Sequence, residues 1–109
     1  MAYSEGLADR IRQVLNILKV SYEEKKMIGG LTFMVNNKMC VGIVKENLMA
    51  RVGKAFYQDA LAYDGVKLMD FNGKPLKGYV YVTPGAMDMD DQLTFWIKKS
   101  LEFNKTLVG

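Results

Sequence analysis

The stretch Met27-Ile28-Gly29-Gly30-Leu31-Thr32-Phe33-Met34-Val35-Asn36-Asn37-Lys38-Met39-Cys40-Val41-Gly42-Ile43-Val44 decides the fold class. Up to Val35 it is apolar on both alternations, the pattern of a strand covered on both faces. The paired glycines Gly29 and Gly30 weaken such a strand and point to a bulge or a close backbone approach. Asn36-Asn37 suits a tight hairpin turn, because Asn tolerates the positive φ that such turns require. Met39 to Val44 then reads as a second strand, and Lys45-Glu46 as a turn. Asn47 to Val52 is a third strand in which Leu48, Ala50 and Val52 alternate with Met49 and Arg51. These pieces make an antiparallel meander.

Helices are expected around this meander. Ser4 suits the N-cap of a first helix, and Leu7, Ile11, Val14, Leu15 and Leu18 follow the spacing of one buried helical stripe. Glu23 to Lys26 reads as a charged connector. Gly53 starts a second helix through Ala55, Phe56, Ala60 and Leu61, with Asp64-Gly65 as its stop. Val66 to Phe71 and Gly78 to Thr83 read as a hairpin around Asn72-Gly73-Lys74-Pro75. Asp88 is the expected N-cap of the last helix, whose apolar stripe is Leu93, Trp96, Ile97 and Leu101. The predicted class is α+β in the order α-β-β-β-α-β-β-α, an antiparallel five-strand sheet packed by helices, as a single domain over 1–109.

Composition agrees with one globular domain. The 109 residues are 50% apolar and 25% charged, too apolar for a disordered chain. No run approaches the roughly 18 apolar residues of a membrane span. Met1-Ala2-Tyr3-Ser4-Glu5 has no signal-peptide pattern, so the expectation is a cytoplasmic domain without membrane contact. One cysteine, Cys40, excludes an internal disulfide, and the absence of histidine removes Ser-His-Asp and Cys-His pairs and His-bearing zinc sites. Cys40 reads as core packing. Asp88, Asp90 and Asp91 read as helix capping rather than a metal site, since the Gly and closing Glu of a calcium loop are missing. No catalytic residue, cofactor site or metal site is expected, and the reading is a non-enzyme.

The net charge of +3 is unevenly placed. Residues 1–54 carry nine basic and five acidic side chains, and 55–109 carry six and seven. Three functional readings follow. In the first, a sheet face left open by the helices binds protein through Met34, Met49, Met69, Tyr79 and Tyr81, a second copy of the chain being one candidate partner. In the second, Arg10, Arg12, Lys25, Lys26, Lys38 and Arg51 contact nucleic acid, although no basic run exceeds two residues. In the third, an enzyme or small-molecule binder uses a pocket near Gly29-Gly30 with Lys25 or Tyr79. The first ranks highest and the third last.

Several motifs in order resemble a known family. They are Lys26-Met27-Ile28-Gly29-Gly30, Phe33, the turn Asn36-Asn37-Lys38 followed by Met39, and Asn47-Leu48-Met49-Ala50-Arg51. Tyr79-Val80-Tyr81-Val82-Thr83-Pro84 and Leu93-Thr94-Phe95-Trp96 complete the set. Together they resemble the N-terminal domain of the TfoX/Sxy family over about residues 7–104, with Ile28 where the family has Phe. The resemblance implies an α+β domain without catalytic residues. Two-domain members regulate competence genes with the cyclic-AMP receptor protein at promoters; this chain is expected to be the first domain standing alone, without the C-terminal helical domain. A regulatory role is what the resemblance implies.

Overall fold

The computed structural model describes residues 3–27, 30–71 and 73–107. Ser4 caps helix α1 (Glu5–Ile17): its hydroxyl accepts from the Leu7 N–H at 3.2 Å. Tyr3 bridges to Lys45, and the Ser4 N–H donates to the Lys45 carbonyl at 2.8 Å, which ties the start of α1 to a sheet turn. Four strands follow: β1 (Glu23–Met27), β2 (Gly30–Val35), β3 (Lys38–Val44) and β4 (Asn47–Arg51). Helix α2 (Lys54–Leu61), strands β5 (Val66–Phe71) and β6 (Lys74–Val82), a 3-10 turn at Pro84–Ala86 and helix α3 (Asp90–Thr106) complete the chain.

The α+β class and the antiparallel pairing are as expected, but the sheet has six strands in the order β1-β2-β3-β4-β6-β5, not five. The additional strand is Glu23–Met27, of which Glu23 to Lys26 reads from its charges as a connector. It pairs along its whole length with β2, from Glu23 opposite Met34 to Met27 opposite Gly30. An edge strand needs only backbone hydrogen bonds on one side, and its charged side chains discourage pairing with other chains. The element order is therefore α-β-β-β-β-α-β-β-α. Ile28 and Gly29, which the sequence placed inside one long strand, lie outside the described residues.

Turn chemistry was legible. Asn36 and Asn37 have φ of 55° and 62°, so both residues of the β2–β3 turn are left-handed, as a two-residue hairpin requires. Lys45 adopts φ 59° in the β3–β4 turn. Several boundaries differ, three of them instructively. Helix α2 ends at Leu61, ahead of Asp64-Gly65. Strand β6 begins at Lys74 rather than Gly78, because its first half pairs only with β5, Lys74 opposite Phe71 and Pro75 opposite Asp70. Met89, not Asp88, occupies the N-cap of α3; its N–H donates to Gln92 Oε1 at 2.9 Å, so a side chain from within the helix does the capping.

One face of the sheet carries the core. Leu31, Phe33, Val41, Ile43, Leu48, Ala50, Val80 and Val82 meet Leu7, Ile11 and Leu15 of α1, Tyr57 and Ala60 of α2, and Leu93, Trp96 and Ile97 of α3 in a single cluster. Cys40 joins them at a bulge: Phe33 pairs with Val41 and Met34 with Met39, so Cys40 is the extra residue. Phe33, fully buried, is among the largest side chains there and packs its ring 5.7 Å from that of Tyr22.

Two substitutions probe this packing. A Cβ on Gly30 would fall onto the Ile43 carbonyl across the ladder, where backbone cannot yield cheaply. Gly30→Ala should therefore destabilise by about 2 kcal/mol or more in urea unfolding, in the upper part of the range for overpacking. The Tyr57 hydroxyl is buried with no hydrogen-bond partner among the described residues. Tyr57→Phe should be neutral or stabilising by up to about 1 kcal/mol, since it removes a desolvated group and keeps the ring; a loss above about 1 kcal/mol in the same assay would show that the hydroxyl is satisfied.

Candidate interaction surface

Strand alternation sends the neighbours of the core residues to the opposite side of the sheet. The register aligns one row there across all six strands: Lys25, Thr32, Gly42, Met49, Tyr81 and Lys67. Met49 and Tyr81 lie outside the core cluster and the hydrophobics packed against it, whereas the buried apolar residues of all three helices belong to that cluster on the other side of the sheet. The centre of the row is apolar and aromatic, and its two ends are lysines on the edge strands.

Met49 is only 6% exposed although it lies outside the core, because it folds over Gly42. A Cβ at Gly42 would come within 2.7 Å of the Met49 methyl and 3.0 Å of the Leu31 carbonyl oxygen. Thr32 is also buried, at 3%. Tyr79 stands opposite Arg51 and Met34 opposite Met39, and the side chains of Tyr79, Tyr81 and Met34 are half-buried. The structure thus gathers Met49, Tyr81, Tyr79 and Met34 on one side of the sheet. Met69 stands apart, at the register shift in β5 between Leu68 and Asp70. Thr32 and Lys67 belong to the row and were missed, since strand register cannot be read from either strand alone.

The six basic residues do not form one track. Arg10 Nη2 donates to the carbonyls of Met87 at 2.9 Å and Asp88 at 3.2 Å and lies 3.4 Å from Asp90. Arg12 grips Glu24 through Nε and Nη2 at 2.7 and 2.8 Å and reaches Asp9 through Nη1 at 2.8 Å. The Arg12 hydrogen bonds hold the Glu24 carboxyl below its ordinary pKa. Lys25 and Lys26 lie on edge strand β1, and Lys38 opens β3 at the Asn36-Asn37 turn. Arg51 ends β4 beside a helix, its guanidinium carbon 5.3 Å from the Tyr79 ring centroid and 5.5 Å from that of Phe103 in α3. Lys25 and Tyr79 sit on strands separated by three others, so they do not share a pocket.

The helical side carries an aromatic cluster absent from the sequence reading. Phe95 and Trp96 rings meet edge to face at 5.1 Å, Tyr63 and Trp96 at 5.2 Å, and Phe56 lies 6.3 Å from both Phe95 and Trp96. Lys99 Nζ stands 4.8 Å over the Phe56 ring. A cleft of about 600 Å³ opens between the end of α1 and α3, with Leu18, Val20 and Leu101 among its walls. Beside it, Asn104 Nδ2 donates to the Val35 carbonyl at 3.0 Å and its Oδ1 accepts from Asn36 at 3.0 Å, a pairing that fastens α3 to the β2–β3 turn. Among the described residues no group of three or more Cys, Asp or Glu could hold a metal, and no helix is long and apolar enough to cross a membrane.

Cys40 lies 1% exposed, and burial pushes its thiol up to about 12, against a smaller opposing pull from the Arg51 charge. A thiol's ordinary value is 9.0, so with that value in the unfolded chain this group's contribution to stability is full below about 9 and is lost as pH rises towards about 12. Native protein at pH 8 should react with Ellman's reagent at least about a hundredfold more slowly than protein in denaturant. Equal rates would place the thiol at the surface.

The family model of the TfoX N-terminal domain matches residues 19–104, from just past α1 into the last turns of α3. The match takes in all six strands and omits the whole of α1, most of which the motif resemblance includes. Comparison with curated proteins and with solved structures finds no match to this chain. With the greater part of its length matched, including every strand of the sheet, the chain belongs to the TfoX N-terminal domain family.

Proposed function

We propose that the protein is a non-enzymatic regulatory module that acts through protein–protein contacts on the helix-free face of its sheet. The observation that carries this reading is the row Lys25, Thr32, Gly42, Met49, Tyr81 and Lys67, on the side of the sheet opposite the core cluster into which the helices pack. An apolar centre with a charged margin is the anatomy of a protein interface. Met and Tyr suit it because a thioether adapts its shape and a phenol offers a ring and a hydroxyl together. Membership of the TfoX N-terminal domain family is consistent with a regulatory domain, and that family is not known for enzymatic members.

The charges narrow the partner. Lysines end the row on both edge strands, so a second copy laid row on row in reverse would set lysine against lysine. A different protein with an apolar centre and carboxylates at its margin fits better. The test is capture of binding proteins from the native cell by the tagged chain, compared with Tyr81→Asp and with Ile17→Ser, which alters an exposed residue of α1. A partner retained by Ile17→Ser and depleted about tenfold or more by Tyr81→Asp, with unchanged circular dichroism, is the expected result. Equal capture by both variants would reject this face as the contact. Concentration-dependent sedimentation of the pure chain, abolished by Tyr81→Asp, would instead assign the face to a homodimer.

A further inference from the structure

Where the end of β4 and the middle of β6 meet the start of α2, Arg51, Lys54, Lys77, Tyr79 and Phe103 line a cleft of about 350 Å³. Three lining side chains are cationic and none is acidic. Among the described residues no ion pair joins Arg51, Lys54 or Lys77 to a carboxylate, although Arg10 and Arg12 are both paired. Arg51 is the unusual member. It is half-buried between two aromatic rings at 5.3 and 5.5 Å, and none of its N–H donors is taken by another described residue. Ring faces hold a guanidinium plane in place without consuming its donors, so the planar fork stays available.

The backbone shapes the same cleft. The Gly78 carbonyl accepts from the Val52 and Gly53 N–H groups at 2.9 and 3.0 Å, drawing the β6 strand onto the start of α2. Gly53 has φ +86°, and a Cβ there would strike the Phe103 ring. A Cβ on Gly78 would sit 3.3 Å from the Gly53 carbonyl carbon. Gly53 therefore lets the Phe103 ring lie against the main chain and close one wall, and Gly78 lets β6 approach the Gly53–Lys54 backbone. Lys54 and Ala55, the first residues of α2, form part of another wall, so the positive end of that helix adds to the side-chain field.

We propose that this cleft is a binding site for a phosphomonoester group. A monoester carries about −1.5 to −2 charge near pH 7, whereas a carboxylate carries one, and three cations without a counter-ion favour the more highly charged group. A guanidinium fork matches two phosphate oxygens at once, with the lysines supplying the remaining charge. The volume is at the small end of ligand sites, enough for the headgroup and a short attachment. The site does not depend on the protein-contact reading, although Tyr79 borders both.

The test is a titration of the 15N-labelled chain, followed by backbone amide shifts, with sodium phosphate and with sodium acetate at constant ionic strength. Saturable shifts confined to Gly53, Lys54, Ala55 and Gly78, with a millimolar Kd for phosphate and no saturation by acetate, are expected. Lys54→Gln combined with Lys77→Gln should raise that Kd about tenfold, and Lys38→Gln, outside the cleft, should leave it unchanged. Both lysines in the cleft are exposed, so the double variant keeps its fold, checked in the same spectra. Arg51→Lys should also weaken binding several-fold by removing the fork while keeping the charge. Adenosine monophosphate and ribose 5-phosphate separate the sources: tighter binding of the former assigns a nucleotide stacked on Tyr79 or Phe103, and equal binding assigns the phosphate headgroup alone. Shifts that fail to saturate, that spread equally to Lys25 and Lys38, or that acetate reproduces would overturn the site. Association that survives in the lysine double variant but fails in Tyr81→Asp would separate this site from the protein contact.

Discussion

The rest of the structure depends on one constraint of area: three helices are enough to roof one side of a six-stranded sheet and no more. Six strands spaced about 4.8 Å apart make a layer about 24 Å wide. Three helices packed side by side at about 9 Å spacing span roughly the same width once their side chains are counted. All three contribute to one cluster around Phe33, Val41, Ile43 and Leu48, and among the described residues there is no further α-helix for the opposite side. The hydrophobic driving force is satisfied on one face, and the composition of the other is set by different demands.

Those demands are visible in its residues. The middle of the helix-free face holds Met49 folded over Gly42, with Thr32 buried beside it, so part of its apolar surface is removed from water by close lateral packing. The edges carry charge: Lys25 on β1 and Lys67 on β5, with Glu23, Glu24 and Lys26 along the outer strand. Charged edge strands resist sheet-to-sheet addition, which leaves the face rather than the edge as the place for a specific contact. At one end of β4, Arg51 lies near both Tyr79 of β6 and Phe103 of α3, beside the start of α2.

Much of this was legible in the amino-acid order where local chemistry dominates. The Asn36-Asn37 turn follows from the tolerance of Asn for positive φ, and both residues adopt it. Ser4 caps α1 for the reason any N-cap serine does, and the stripe Leu93, Trp96 and Ile97 is buried as its spacing requires. Strand β1 was not legible, because an edge strand with four exposed charged residues carries no apolar alternation to read. The N-cap of α3 shifted by one residue because Gln92 reaches back from inside the helix, a choice that depends on a rotamer and not on a pattern. Candidate basic residues divided in a way no spacing foretells: Arg12 is spent on Glu24, twelve residues away in sequence, whereas Arg51 has no acidic partner among the described residues.

By itself, the sequence determined the class of the fold, the meander, the position of most turns and the residue types that would face away from the core. Periodicity and turn propensity are properties of a few consecutive residues, so they survive without knowledge of the rest of the chain. Only the tertiary structure decided which rows those residues join, which cations are paired, and where Arg51 meets Phe103. Such facts depend on strand register and helix placement, which are settled by contacts between segments far apart in the chain.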